Sequence, residues 1–148
     1  MSGLEAFASD KNIETEGSWC DYGTFRVLLA RAGGSNQKYI KALQKAAKQL
    51  GVHQNNIEAN RAVERALMAD YLILGWQTKV DGEWLEGIEH SASVSHLEAG
   101  ANGLIPNTRE NFRAVLEALN DLSLALQNFA NVHTNYQNED NEELAGNS

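Results

Sequence analysis

At 148 residues, with 43% hydrophobic and 22% charged content, the chain has the size and make-up of one globular domain with a real core. Twelve basic against twenty acidic residues leave a net charge of −8, which argues against charge-driven binding to nucleic acid or to anionic membranes. The single cysteine, Cys20, excludes an internal disulfide, and neither a signal peptide nor an apolar run of spanning length is present, so a soluble intracellular protein is expected.

Residues 1–16 mix acids with small residues and show no period; they are expected to be flexible. Residues 17–31 favour two short strands. Trp19, Tyr22 and Phe25 suit a pleated surface, and Gly23 allows the turn between them. The spacing of Tyr39, Ile40, Leu43, Ala46, Ala47 and Leu50 predicts a helix over 36–50. Lys38, Lys41, Lys45 and Lys48 occupy its other face with no acid among them. A second helix is predicted over 55–74, capped by Asn55 or Asn56, with Ala59, Ala62, Val63, Ala66, Leu67, Tyr71 and Leu74 as its buried stripe. A hairpin over 76–85 follows, with Asp81-Gly82 fitting a type I′ turn. Residues 65–84 are the predicted hub. Large rings dominate core energetics, so Trp76 and Trp84, with Trp19, are the expected structural centre.

Residues 86–103 carry serines and glycines and predict a loop, with one helical turn over Val94 to Ala99 as the alternative. Pro106, the only proline, announces a last helix over 108–133. At 1.5 Å per residue such a helix spans about 39 Å, long for a small monomer. Its apolar stripe includes Phe112, Val115 and Leu116 and continues through Leu119, Leu122, Leu126 and Phe129. Those last four are the expected border of a groove that takes a partner helix. Residues 135–148 hold Glu139, Asp140, Glu142 and Glu143 and predict a disordered acidic tail, dispensable for folding like the N-terminus. The expected architecture is mainly α: a flexible segment 1–16, one helical domain over 17–134 with an N-terminal β-hairpin and a second hairpin at Asp81-Gly82, and the tail.

Chemistry is sparse. Cys20 lacks a neighbouring base in sequence and reads as a small strand residue. His90 and His96 are six apart, which fits no helical metal pair. Gly33-Gly34-Ser35 lacks the spacing of a phosphate loop. Glu14, Glu16 and Asp21 make no evident acid–base pair. No catalytic residue, metal or cofactor is expected, and an enzyme is the least supported class.

Trp19-Cys20-Asp21-Tyr22-Gly23, Phe25-Arg26 and Leu29-Ala30-Arg31 begin a longer pattern. It continues through Asn36, Tyr39, Gly75-Trp76, Asp81-Gly82, Ile105-Pro106-Asn107-Thr108 and Glu110-Asn111-Phe112 to the last leucines. In order and spacing this resembles the tail assembly chaperones of long-tailed bacteriophages, over roughly residues 17–132. Residues 85–103 look like an insertion relative to that pattern.

The resemblance implies a non-enzymatic helper in the host cytoplasm. Such chaperones bind the long helical tape measure protein and keep it soluble. They help recruit tail tube subunits and are absent from the finished virion. Self-association through the same surface is a further expectation. The competing reading is a minor structural tail protein retained in the virion.

Overall fold

A computed structural model of the chain describes residues 3–50 and 56–137. Asn55 and His53, and residues 138–148 of the expected acidic tail, lie outside the described residues.

The expectation of a mainly α protein is overturned. Among the described residues, five α-helices accompany one four-stranded antiparallel sheet in the order β1-β2-β3-β4, an α+β arrangement. β1 (Ser18–Asp21) and β2 (Phe25–Leu29) form the first hairpin. Asp21 closes its turn by accepting from the Gly23 N–H at 2.7 Å. β3 (Ile73–Val80) and β4 (Glu83–Glu86) form the second hairpin. Asp81 and Gly82 both adopt positive φ, 52° and 83°, as a type I′ turn requires. The two hairpins are not separate ornaments on a helical body. β2 pairs with β3, placing Val27 opposite Trp76 and Arg26 opposite Gln77.

Two helices are inserted between β2 and β3: α2 (Gln37–Leu50) and α3 (Ile57–Leu67). Asn56 caps α3 by accepting from the Ala59 N–H at 3.0 Å. The helix expected to reach residue 74 ends sooner. A π turn over Met68–Leu72 follows α3, and β3 starts at Ile73. Leu72 ends that turn by accepting from the Ala30 N–H at 2.8 Å, which ties it to the end of β2. The buried side chains here are Leu67, Met68, Ala69 and Leu72, while Tyr71 and Leu74 of the predicted stripe are exposed.

The last helix is two helices. α4 (Arg109–Ala118) starts at Thr108, whose side chain accepts from the Asn111 N–H at 3.1 Å. Leu119 breaks it at φ −125°, ψ 75°, and α5 (Asn120–Asn131) restarts the chain. Asn120 and Asp121 follow the break, residue types whose side chains compete for backbone groups and favour helix starts. The 39 Å rod and the argument it carried for a protruding apolar stripe therefore fall.

The sheet buries one face. Cys20, Val27, Leu29, Ile73 and Trp76 join Phe112, Val115 and Leu116 of α4 and Leu126 and Ala130 of α5 in one core. Ile88 and Ile105 exchange backbone hydrogen bonds at 3.0 and 2.8 Å, and Val94, in a 3-10 turn over Ala92–Val94, is buried in the same core. The 86–103 loop is thus partly internal.

Contacts are made on both sides of the expected domain, before residue 17 and after residue 134. Asp10 caps α1 (Lys11–Glu16), accepting from the N–H groups of Asn12 and Ile13. Glu14 on that helix is buried and paired with Arg31. Tyr136, beyond the expected boundary at 134, is fully buried; its hydroxyl donates to the Ala30 carbonyl at 3.2 Å. Asp10 donates its N–H to the Tyr136 carbonyl at 2.8 Å, joining the two ends. Asp10 and Glu14 thus join α1 to the fold, whereas the 3-10 turn over Gly3–Phe7 buries no residue.

Candidate partner-binding face

The groove does not assemble as expected. Leu126 is 1% exposed and belongs to the core. Phe129 packs against that core and meets Tyr136 edge to face, ring centroids 6.1 Å apart. Leu119 and Leu122 are half-buried at the α4–α5 corner. With Phe25 they line a shallow depression of about 390 Å³. Tyr22, stacked on Phe25 at 4.9 Å, extends this apolar corner. So two of the four predicted residues border a recess and two are packing residues. The reason is local: the break at Leu119 turns the α5 stripe inward onto the sheet.

The hub splits into two. Trp76 is 1% exposed on the core face, edge-on to Phe112 with centroids 4.6 Å apart. Trp19 and Trp84 lie half-buried on the opposite face of the sheet. Strand alternation demands this: Trp19 neighbours the inward Cys20, and Trp84 is opposite Lys79, one residue past the inward Thr78. Between the two indoles sits the Arg26 guanidinium, 4.0 Å from the Trp19 ring centre and 4.3 Å from that of Trp84. The Lys79 amine lies 5.5 Å from Trp84.

From Arg26 a polar chain crosses the sheet. Its Nε and Nη2 donate to Gln77 Oε1 at 2.8 and 2.6 Å. Gln77 Nε2 donates to Glu86 Oε1 at 2.7 Å, and Asn107 Nδ2 donates to Glu86 Oε2 at 2.5 Å. Asn107 Oδ1 then accepts from the Trp76 N–H at 3.1 Å. Gly75 leaves room for this: a Cβ there would stand 3.4 Å from Asn107 Nδ2. Arg26 and Lys79 have no carboxylate partner among the described residues, whereas Arg31, Arg61 and Arg113 do. This face therefore presents two aromatic rings and two cations, a surface suited to flat, apolar or acidic groups. The register that makes it is invisible in linear sequence, because Arg26 and Gln77 are brought together across the helical insertion. The alternation of Trp19 with Cys20 was the available signal.

The reactive side chains are accounted for structurally. Cys20 is buried, and burial pushes its thiol pKa up, away from the nucleophilic thiolate. His90 contacts the Leu97 carbonyl, while His96 is exposed. No group of three or more His, Cys, Asp or Glu is placed to hold a metal ion among the described residues. The Gly33-Gly34-Ser35 turn faces a carboxylate rather than a phosphate cradle. Glu14 Oε1 accepts from the Ser35 N–H at 3.3 Å and its Oγ at 3.0 Å. Burial alone would push the Glu14 carboxyl up. The hydrogen bonds from Arg31 and Ser35 and the Arg31 charge outweigh it and hold the pKa below the usual value.

No protein-family model, curated protein or solved structure matches the chain.

Proposed function

We propose that this protein is a non-enzymatic tail assembly chaperone of a long-tailed bacteriophage, acting in the host cytoplasm on the tape measure protein. One observation supports the reading most. Residues that carry the resemblance, Trp19, Arg26, Trp76 and Asn107, lie far apart in sequence yet are linked across the sheet through Gln77 and Glu86. The outer face with Trp19, Arg26 and Trp84, and the Phe25–Leu119–Leu122 corner, are the surfaces on which a helical client is proposed to dock. Recruitment of tail tube subunits and departure before the tail is complete belong to the same proposal.

Co-expression tests it. The tape measure protein of the same phage should be insoluble alone and soluble with this chain. A folded Arg26→Ala, Trp84→Ala double variant should lose that effect. A client that stays insoluble with the native chain would sink the proposal.

A further inference from the structure

Residues from α1, the end of β2, the start of α2, the π turn, β3 and the start of α4 line one cavity of about 410 Å³. That is within the range of small-molecule sites, about 300–1,000 Å³. Ala30, Leu74 and Tyr71 give it an apolar part.

Its polar lining divides sharply. The groups that could face a cation or a donor are already engaged within the protein. Thr15 Oγ1 lies 3.3 and 3.2 Å from the carbonyls of Lys11 and Asn12. Ser35 Oγ lies 3.1 Å from the Lys11 carbonyl and 3.0 Å from Glu14 Oε1. The buried Asn36 donates its Nδ2 to the Arg31 carbonyl at 2.9 Å and accepts from the Tyr39 N–H at 3.4 Å. Asp70, the one carboxylate in the lining, accepts from Arg113 Nε at 3.3 Å and forms a closer contact with its Nη2.

The unspent groups are donors. Gln37, Lys38, Tyr71 and Arg109 line the same cavity. Among the described residues, no hydrogen bond or ion pair engages their side chains. With Asp70 neutralised by Arg113, Lys38 and Arg109 are two uncompensated positive charges, in a chain of net charge −8.

We propose that this cavity binds a small organic dianion, a phosphate monoester or a dicarboxylate. Lys38 and Arg109 take its charges, and Tyr71 and Leu74 take its organic body. Arginine presents a planar fork that matches either oxyanion, and lysine a point charge. A cation would meet two like charges here, and a neutral ligand would leave both unpaired. The site is separate from the client-docking face, since Trp19, Arg26 and Trp84 do not line it, and it stands or falls independently of the client.

Phenyl phosphate and phthalate test it. Both are aromatic dianions at about pH 8, and they differ in the oxyanion. Each is titrated into the full-length chain and followed by amide resonances. At least one should bind saturably, with shifts gathered at Ala30, residues 35–38, residues 70–74 and Arg109. Lys38 and Arg109 are exposed, so their replacement leaves the core untouched. Lys38→Gln and Arg109→Gln should each weaken binding about tenfold, the size of one lost charge-assisted contact. Lys48→Gln, on the same helix but outside the cavity, should change nothing. The proposal is overturned if neither dianion saturates, or if the shifts spread along Lys41, Lys45 and Lys48. It is overturned equally if inorganic phosphate or benzyl alcohol binds as tightly as phenyl phosphate, or if Lys48→Gln is as harmful as the two cavity variants.

Discussion

The Trp76 indole N–H meets the Ile105 carbonyl oxygen at 3.1 Å, while its backbone N–H meets Asn107 Oδ1 at the same distance. One residue, through its side chain and its backbone, thus pins the 105–107 segment to the middle of β3. That segment leads directly into α4, whose Phe112 meets the Trp76 ring edge to face. The order of contacts explains why the Ile-Pro-Asn-Thr run and the Gly-Trp pair belong together despite the loop between them.

Trp76→Ala should cost about 3–5 kcal/mol, from lost burial and a large cavity. Trp76→Phe keeps much of the ring and removes one of the two hydrogen bonds that the Ile105 carbonyl accepts, the one from the Ile88 N–H remaining, for about 0.5–1.5 kcal/mol. Urea unfolding of both variants measures the two costs. Equal small losses would place the indole outside the core.

The Arg31–Glu14 pair should impose a pH signature. Glu14 is almost wholly buried, so Arg31→Met strands a carboxylate there, for a cost of about 3–5 kcal/mol at neutral pH. The folded pKa of Glu14 is depressed, so its native contribution is present above the unfolded value of about 4.3 and is lost as pH falls through the folded one. In the variant the lowering by the Arg31 charge and hydrogen bond is gone, so that pKa moves up. The stability gap should therefore be widest near pH 7 and narrow markedly near pH 3. A gap independent of pH would show that the pair contributes packing alone.

Leu126 separates core from docking surface. Leu126→Ala should cost about 2–5 kcal/mol, because the side chain is fully enclosed. Leu122→Ala, at the half-buried corner, should cost clearly less and should weaken client binding more. Thermal melts and co-purification on the same two proteins decide this. A stable Leu126 variant that loses the client would return the groove to its sequence-based position.

The hairpins, the caps at Asn56 and Thr108 and the Asp81-Gly82 turn were legible because each depends on a few adjacent residues. What could not be read was non-local. The β2–β3 pairing that makes a single sheet joins Val27 to Trp76 across two helices. The break at Leu119 was hidden because apolar residues keep helical spacing on both sides of it, so periodicity runs on where the backbone does not. Glu14 and Arg31 are 17 apart, and nothing between them announces a pair. Trp76 lies in the core while Trp19 and Trp84 lie on the outer face, a separation that depends on strand register and not on residue type. The predicted partner stripe was half core for the same reason: an apolar stripe alone does not say which neighbour covers it.

The outer face should be separable from the fold. Arg26→Ala removes two cation–ring contacts worth about 0.5–1 kcal/mol each at a half-exposed site. Stability should drop by about 1–2 kcal/mol, with client solubilisation lost. A variant that unfolds outright would show that the stack holds the sheet together.

Quantitative mass spectrometry of purified phage particles, compared with the assembling lysate, tests the functional reading most directly. A chaperone should appear in the lysate bound to the tape measure protein and be missing from finished particles. A fixed, stoichiometric number of copies in every particle would contradict it and make this chain a structural tail component.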